Sequence, residues 1–295
     1  MRFASLGSGS EGNALVVEAS AGNTVTRVLL DCGFSLRETE RRLARLGIEP
    51  QQIDAIIVTH EHGDHIGGVP RFARKHGTPV WITYGTCVAS GMGGVEGLRG
   101  LGGAGASASA GTNAAGAIPV AIPVSAASAA REIPPEIHLI EHHAPFVVGA
   151  LQMLPFPVPH DAREPAQYVF SDGTRRLGVL TDLGSVTAHV TSMLSRCDGL
   201  VLECNHDAQM LAASAYPPGL KARVGGAYGH LNNQQAAQLL GEIKHAGLQH
   251  VMAAHLSAQN NTPALARAAL ADALGCAPEW VGIADQADGF DWRSL

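Results

Sequence analysis

The apolar and polar residues in the first third of the chain follow two different periods. Short apolar runs bounded by glycine, serine or aspartate predict strands in "MRFASLG", "ALVVEA" and "TRVLLDCG", the first two joined by a Gly/Ser loop. By contrast, "SLRETERRLARLGI" has helical spacing, and it predicts a helix with Ser35 as N-cap and Gly47 as stop. The strand "IDAIIVTH", the helix "GGVPRFARKHG" and the strand "PVWIT" follow.

The alternation of strands and helices continues in the second half of the chain. Strands are predicted at "IHLIE", "PFVVGALQMLPFPVPH", "AQYVFSDG", "RRLGVLTDLG", "GLVLEC" and "HVMAAHLS". Helices are predicted at "TAHVTSMLSRC", "NNQQAAQLLGEIKHAG" and "PALARAALADAL". Because strands and helices alternate throughout, the pattern predicts an α/β layered fold.

The composition changes abruptly between about residues 90 and 130, where almost every residue is Gly, Ala, Ser or small and apolar. Such a segment buries too little surface to offset its ordering entropy, so we expect a mobile insertion within a single domain that covers residues 1–295. A tolerated surface expansion is the favoured interpretation. An arm that grips the substrate is the alternative.

Charge and length limit the classes of protein to consider. The chain has 295 residues, 46% of them apolar, and a formal net charge of −6. This length is sufficient to bury a substantial core. The negative charge does not indicate non-specific binding to nucleic acid, although a local basic patch stays open.

The cysteines and the apolar segments bear on the compartment. There are five cysteines, an odd number, and no two of them form a CxxC pair, which indicates reduced thiols. The first residues contain no apolar core of signal-peptide length, and no run of 18 apolar residues occurs. We therefore expect a cytoplasmic protein without a membrane segment. The sequence does not distinguish a monomer from a dimer.

The stretch "IIVTHEHGDHIGG" carries the strongest indication of chemistry. It places His60, His62, Asp64 and His65 within six residues, directly after a predicted strand. The two residues of an H-x-H pair point to the same side and can hold one ion together, and Asp64 and His65 can face a second ion after the turn at Gly63. Imidazoles combined with a carboxylate suit Zn(II), Mn(II) or Fe(II).

Three further side chains occur where other predicted strands end. His160 follows "PFPVP", Asp182 follows "LGVLT" and His255 follows "HVMAA". Pockets of layered α/β folds collect the ends of strands, so we expect these side chains to complete the metal site.

Together, these motifs resemble the metallo-β-lactamase superfamily. The order of "THEHGDH", a single His, a single Asp and a final His carries the resemblance, and it extends over essentially the whole chain. Longer segments, among them "FASLGSGSEGNALVVEA", "PVPHDAREPAQYVFSDG" and "GGAYGHLNNQQAA", are similar to the YycJ/WalJ branch. That branch is regarded as DNA exonuclease-like and is similar to tRNase Z.

The resemblance implies an α/β fold, a four-layer αββα sandwich of two mixed β-sheets, with two divalent metal ions, Zn or Mn, at one edge. It also implies seven metal-binding side chains, which we call the predicted ligands: His60, His62 and His160 for one ion, Asp64, His65 and His255 for the other, and Asp182 between them. The commonest β-lactamases have Cys where this chain has Asp182, so the carboxylate favours a phosphodiesterase or lactonase type of site. Asp31 is expected to support a ligand histidine from behind.

Two further residues resemble a pair in tRNase Z, where a His paired with a Glu lies next to the scissile phosphate. They are Glu203, at the end of the strand "VLEC", and His230, in "YGHLNN". We expect His230 to donate a proton and Glu203 to orient it, and with Asp64 they form the predicted catalytic set. The alternative is structural: His230 would cap a helix and Glu203 would form a hydrogen bond in the core.

The leading hypothesis is a hydrolase of the phosphodiesterase or nuclease type that acts on nucleic acid, with DNA favoured over RNA, and specifically a 5′-to-3′ DNA exonuclease. Two metal ions would activate a water molecule between them for attack on the phosphate. Basic residues could contact phosphates locally: Arg41, Arg42, Arg163, Arg175, Arg176, Lys221 and Arg223. A small-molecule hydrolase for lactones, thioesters or cyclic phosphodiesters is the alternative, and a non-catalytic metal-binding module is a third hypothesis.

Overall fold

Strands of the computed structural model, which describes residues 1–92 and 135–295, form two seven-stranded mixed sheets. The first sheet has the order β14-β1-β2-β3-β4-β5-β6. Its strands are β1 (Arg2–Gly7), β2 (Ala14–Ala21), β3 (Thr24–Leu30), β4 (Ala55–Ile57), β5 (Val80–Thr83), β6 (Ile137–Ile140) and β14 (Phe290–Ser294). The pairs from β14 to β3 are antiparallel, and those from β3 to β6 are parallel.

The second sheet repeats this arrangement. Its order is β13-β12-β11-β10-β9-β8-β7. The strands are β7 (Phe146–Val148), β8 (Leu151–Pro157), β9 (Ala166–Ser171), β10 (Arg176–Leu180), β11 (Gly199–Glu203), β12 (His250–Ala254) and β13 (Gly282–Ile283). Antiparallel pairs join β7 to β10, and parallel pairs join β10 to β13.

Helices cover the outer faces of both sheets, and shorter helices border the site. The helices are α1 (Leu36–Arg45), α2 (Gly63–Ile66), α3 (Val69–His76), α4 (Tyr84–Ala89), α5 (Ala188–Leu194), α6 (Ala208–Ala213), α7 (Pro218–Val224), α8 (Asn233–Ile243) and α9 (Pro263–Leu274). None of the helices in the described ranges is long and apolar enough to cross a membrane.

Three apolar clusters fill the spaces between four layers. Leu43 of α1 and Phe72 of α3 pack on the outer face of the first sheet. Leu239 of α8 and Leu270 of α9 pack on the outer face of the second sheet. The inner faces of the two sheets share the third cluster. Since alternate residues of a strand point to opposite faces, each central strand contributes to two clusters, and the predicted αββα sandwich is confirmed.

The predicted helix around residues 35–47 is confirmed in detail. Ser35 caps α1, its side chain accepting a hydrogen bond from the backbone of Glu38, and Gly47 follows the helix with a left-handed φ of 71°. The strand before the histidine cluster ends earlier than predicted, at Ile57. The reason is that Thr59 donates its backbone N–H to the side chain of Asp31 and not to a neighbouring strand.

Six helices and strands of the described ranges were not predicted from the sequence: α2, α4, α6, α7, β13 and β14. The four helices have fewer than eight residues each, so their apolar spacing is too short to establish a period. The strand β14 gains its regular structure by pairing with β1, a partner almost 300 residues away in the chain. The predicted insertion at about 90–130 lies, apart from residues 90–92, outside the described residues.

Candidate metal centre and active site

The predicted ligands lie together at one edge of the sandwich, where parallel strands of both sheets end. Ligand atoms within 4.8 Å of one another form three groups of predicted ligands: His60 with His62 and His160, Asp64 with His65 and His255, and His60 with His65 and Asp182. Five of the seven are buried, whereas His62 and Asp64 are partly exposed. The structure therefore gathers side chains that are as far as 195 positions apart in the sequence.

Three imidazoles of the first group point at a common centre. The Nδ1 atom of His62 lies 3.0 Å from Nε2 of His60 and 3.3 Å from Nε2 of His160. The backbone oxygen of Gly229 faces Nδ1 of His160 at 3.0 Å, and only a protonated nitrogen can donate there. In a neutral ring Nε2 of His160 is then an unprotonated acceptor.

The same reasoning applies to His60. Its Nδ1 lies 2.9 Å from the hydroxyl of Thr59, which itself donates to Asp31, so Nδ1 of His60 is the donor and its Nε2 carries a lone pair. The lone pairs on Nε2 of His60 and on Nε2 of His160 thus both face Nδ1 of His62. That nitrogen carries at most one proton, so it cannot donate to both. A cation satisfies all three nitrogens, and tetrahedral ligands about 2.0–2.1 Å from zinc are separated by about 3.4 Å. The first group fits a metal ion.

Asp64, His65 and His255 form the second group. The carboxylate of Asp64 lies 3.3 Å from Nε2 of His255 and 3.5 Å from Nε2 of His65. Burial alone would raise the pKa of Asp64, but hydrogen bonds from His255 and His65 bring it below its usual range. The side-chain amide of Asn13 adds contacts of 3.1 Å to His65 and 3.3 Å to Asp64.

A close approach of two loops fixes this second group. The backbone oxygen of Asp64 accepts a hydrogen bond of 2.7 Å from the backbone of Asn13. A Cβ atom on Gly33 would lie 1.8 Å from the same oxygen, so only glycine fits at that position. The Gly/Ser loop after β1 therefore acts as a support for Asp64, and Ser10 is the residue of this loop that lines the cavity described below.

Asp182 lies between the two groups. Its Oδ2 is 3.1 Å from Nε2 of His65, and its Oδ1 is 3.6 Å from Nε2 of His255 and 3.8 Å from Nε2 of His160. Burial would raise the pKa of Asp182, but the positive charges of His255 and His65 lower it well below the usual value. Its buried Oδ2 has no hydrogen-bond partner among the described residues. An ionised, unpartnered and buried carboxylate among imidazoles is what a bridging metal ligand requires.

Asp31 holds His65 from behind. Its Oδ2 accepts a hydrogen bond of 2.8 Å from Nδ1 of His65, which leaves Nε2 of that ring directed at Asp182. Thr59 donates two further hydrogen bonds of 2.8 Å to the same carboxylate. Burial raises the pKa of Asp31, although the charge of His65 opposes that shift. Asp31 also adopts a left-handed φ of 59°, rare for a residue with a side chain.

An Asp31→Asn variant is expected to bind metal about 10–100-fold more weakly, because the amide holds the His65 ring and its tautomer less firmly. Competition with a chelating dye, monitored for Zn(II) and Mn(II), measures the change. Asp54→Asn is the matched control, since Asp54 accepts a hydrogen bond from the backbone of Arg27 on the exposed surface. Equal metal affinities in the two variants would contradict the role of Asp31.

Buried Glu203 and partly exposed His230 form an ion pair beside Asp182. The Nδ1 atom of His230 lies 2.7 Å from Oε1 of Glu203, and the backbones of Leu183 and Leu231 donate to Oε2. Burial would lower the pKa of His230, but the charge of Glu203 raises it to about 9. Helix α8 is capped by Asn232 and not by His230, so that part of the structural alternative is wrong. The four side chains Asp182, Glu203, His230 and His255 also form a possible metal-binding group.

A cavity of about 400 Å³ opens beside these groups, and we call it the site cavity. Its walls include Ser10, His62, Asp64, Asp182, His230 and His255. The opposite wall is formed by α7 and the segment before it, through Tyr216, Leu220, Arg223 and Val224. This wall was missed from the sequence because α6 and α7 have no recognisable period.

Most of the basic residues named as phosphate contacts lie away from the site cavity. Arg42 is buried and donates to the backbone oxygens of Leu6 and Gln286, so its assignment as a phosphate contact is wrong. Arg175 pairs with Asp198 at the end of β10 opposite to Asp182. Arg223 is the member of that group that lines the cavity.

His206 is buried behind the site and faces Asn205 at 3.3 Å. Its neighbour Asn205 donates to the backbone oxygen of His255. Burial lowers the pKa of His206 to about 4, because it disfavours the charged ring. His206 is thus a support for the loop of His255.

This shift predicts a dependence of stability on pH. The unfolded chain binds the His206 proton below about pH 6.5 and the folded chain only below about pH 4, so folding stability is complete above pH 6.5 and falls as the pH decreases through this window. The loss at pH 5 is about 2 kcal/mol. Urea unfolding at pH 7.5 and pH 5 measures it, and His206→Gln removes this contribution. An unchanged pH dependence in the variant would contradict the prediction.

Comparison with known families identifies the fold family. Residues 7–188 match the model of the metallo-beta-lactamase superfamily. The exodeoxyribonuclease YycJ of Bacillus anthracis is 30% identical over 275 residues, which cover 93% of this chain and 89% of that protein. The exodeoxyribonuclease WalJ of Streptococcus pneumoniae is 28% identical over 96% of this chain and 91% of that protein.

Solved structures of this fold extend over the whole chain. The metallo-beta-lactamase fold protein YhfI of Bacillus subtilis superposes with a TM-score of 0.65 at 15% identity, covering 99% of this chain and 98% of that one. The short form of human tRNase Z gives 0.59 at 16% identity, covering 100% of this chain and 99% of that one. With the family match and the YycJ and WalJ relatives, this shows that the chain is a hydrolase of the metallo-β-lactamase superfamily.

Proposed function

We propose that this protein is a dinuclear metal-dependent phosphodiesterase that acts on nucleic acid, most specifically a 5′-to-3′ DNA exonuclease. The observation that carries the proposal is the Glu203–His230 pair, which lies 3.5 Å from the carboxylate of Asp182, where the predicted ligands converge. A proton donor next to a metal pair serves the cleavage of a phosphodiester, whose leaving oxygen needs a proton. The names of YycJ and WalJ as exodeoxyribonucleases support DNA as the substrate.

In this proposal the first ion is held by His60, His62 and His160, the second by Asp64, His65 and His255, and both by Asp182. Two divalent ions bound there would lower the pKa of an attacking water molecule and neutralise charge on the phosphate. Glu203 fills a different role, because its two oxygens already accept hydrogen bonds from His230, Leu183 and Leu231.

His230 acts on the leaving group. Its Nδ1–H donates to Glu203, which fixes the ring and leaves Nε2 as the free nitrogen. The attacking water gives up a proton to solvent and forms the new bond to phosphorus as the bond from phosphorus to the leaving oxygen breaks. That oxygen takes the proton from Nε2 of His230, and solvent returns a proton to the ring. The ring lines the site cavity and its side chain is 21% exposed, so a substrate can reach it. Glu203 stabilises the protonated ring before the transfer.

A small-molecule hydrolase is the second candidate, and the volume of the site cavity favours it. Cavities of about 300–1,000 Å³ typically hold a small ligand, and this one measures about 400 Å³. A thioester expels a thiolate that leaves without a proton, so its hydrolysis would not use His230, whereas the leaving oxygen of a phosphodiester needs one. The paired Glu203 and His230 therefore favour the phosphodiesterase.

The test uses purified protein reconstituted with Mn(II) or Zn(II). Its substrates are a 5′-phosphorylated DNA duplex, RNA of the same sequence, bis(p-nitrophenyl) phosphate, a lactone and a thioester. We expect mononucleotides to be released from the 5′ end of DNA, with slower turnover of RNA and no turnover after treatment with a chelator. If only the lactone or the thioester is hydrolysed, the nuclease proposal is wrong. If metal binds and no substrate is hydrolysed, a metal-binding module is the correct interpretation.

A further inference from the structure

Arg223, on the last turn of α7, is a cation at the wall of the site cavity that the proposed chemistry does not use. Its Nε donates a hydrogen bond of 2.6 Å to Oδ2 of Asp161, and its side chain remains 63% exposed. None of the described residues accepts a hydrogen bond from its Nη1 or Nη2 atoms. The guanidinium therefore offers donors to a molecule in the cavity.

Asp161 connects Arg223 to the first ligand group. The residue follows His160 directly, and its Oδ1 lies 3.5 Å from Nε2 of His160 and 3.8 Å from Nε2 of His62. One carboxylate thus contacts the guanidinium with one oxygen and approaches two predicted ligands with the other. Through this shared carboxylate, the guanidinium of Arg223 is held next to the first ligand group.

The backbone around α7 is fixed to the same loops. Asp161 donates its N–H to the backbone oxygen of Tyr228 at 2.9 Å, and His230 donates its N–H to that of Val224 at 2.8 Å. A Cβ atom on Gly229 would lie 2.1 Å from the backbone oxygen of Arg223, so the chain can pass there only as glycine. The helix that carries Arg223 is therefore held in place by the segments that carry His160 and His230.

We infer that Arg223, oriented by Asp161, binds the phosphate next to the scissile one and so makes the site selective for chains with more than one phosphate. This inference rests on the proposed nuclease function. An arginine fork matches the oxygens of a phosphate, and a carboxylate behind it fixes the fork in one orientation. Tyr216, Leu220 and Val224 also line the cavity and offer apolar side chains to a nucleoside.

The experiment compares Arg223→Ala with the wild type on a single-stranded oligonucleotide and on bis(p-nitrophenyl) phosphate, which has one phosphate. For the oligonucleotide we expect KM to rise about tenfold or more, with a smaller change in kcat, as for one lost phosphate contact. The effect on bis(p-nitrophenyl) phosphate should be several-fold smaller. The slope of log KM against log salt concentration should fall by about 0.7, the value for one phosphate contact on a single strand.

Arg175→Ala is the matched control. Arg175 also pairs with an aspartate, at 2.8 Å, and is 44% exposed, but it lies at the opposite end of β10. It should leave KM and the salt slope as in the wild type. Arg223→Lys keeps the positive charge but lacks the paired donors of a guanidinium. Its KM and its salt slope should lie between those of Arg223→Ala and those of the wild type. A purely structural Asp161–Arg223 pair does not predict such intermediate values.

Measuring oligonucleotide binding by fluorescence anisotropy separates failure of the inference about Arg223 from failure of the proposed function. If the wild type binds and cleaves the oligonucleotide and Arg223→Ala behaves identically, or if Arg175→Ala has the same effect, the inference about Arg223 is wrong and the proposed function stands. If the wild type neither binds nor cleaves the oligonucleotide or the 5′-phosphorylated duplex, the proposed function fails and the inference fails with it. Should Arg223→Ala not fold, Arg223→Lys and Asp161→Asn decide, since both should raise KM and leave the protein folded.

Discussion

Replacement of Asp182 by Asn is expected to reduce the kcat/KM of phosphodiester hydrolysis at least about a thousandfold, equivalent to about 4 kcal/mol of transition-state stabilisation. The carboxylate approaches four imidazoles, those of His65, His160, His230 and His255, at 3.1 to 3.8 Å. An amide has the same shape but no charge, so it would neither bridge two cations nor balance them. Activity on bis(p-nitrophenyl) phosphate and metal content by elemental analysis measure the loss.

The matched control for this prediction is Asp198→Asn. Asp198 precedes β11, at the end of the second sheet away from the site, where it accepts hydrogen bonds from Arg175 and Arg176. This variant should stay within about threefold of the wild-type activity, as expected for a surface substitution. If Asp182→Asn retained both ions and full activity, the assignment of Asp182 as the bridging ligand would be refuted.

The second large effect is expected for His230→Gln. Loss of a general acid costs about 10²–10⁴-fold, and we expect this loss on DNA, whose leaving oxygen is a poor leaving group. On bis(p-nitrophenyl) phosphate the loss should be much smaller, because p-nitrophenolate leaves without prior protonation. Metal content should not change, since His60, His62 and His160 still surround the first position and Asp64, His65 and His255 the second. Single-turnover rates on both substrates measure the difference.

His76→Gln is the control for His230→Gln, because it also breaks a His–Glu pair. Nε2 of His76 lies 2.9 Å from Glu40, on helices outside the first sheet. An equal loss of activity on both substrates after His230→Gln would show that His230 supports the metal site and is not the proton donor. A loss of bound metal in that variant would support the same conclusion.

The fold could be predicted from the sequence where local patterns determine structure. The strand before His60 and the helix capped by Ser35 are each specified by neighbouring residues. The alternation of such elements predicted an α/β layered fold, and the four layers followed from the resemblance to the metallo-β-lactamase superfamily. In contrast, β14 has no such local cause, because its regular structure depends on pairing with β1 at the other end of the chain. The short helices α6 and α7 depend on packing against the loops of the site, which a period of 3.6 residues cannot reveal.

Part of the candidate site could also be predicted from local patterns in the sequence. Residues directly after apolar strands, such as Asp182 and His255, could be named because parallel strands end at a common edge. Arg223 was named only as one of seven basic residues, since nothing in its local sequence separates it from Arg42. That distinction is made by tertiary contacts: Arg42 donates to backbone oxygens in the interior, whereas Arg223 donates to Asp161 at the wall of the site cavity.

The distribution of the predicted ligands over both sheets has a consequence for folding. His60, His62, Asp64 and His65 follow β4 of the first sheet, whereas His160, Asp182 and His255 follow strands of the second. Ions bound by side chains from both sheets would cross-link the two halves of the sandwich and stabilise the folded state by thermodynamic linkage. At a free metal concentration one hundred times the Kd, one such ion adds about 2.7 kcal/mol to the free energy of unfolding. The supply of metal would then govern the stability of the folded chain as well as its chemistry.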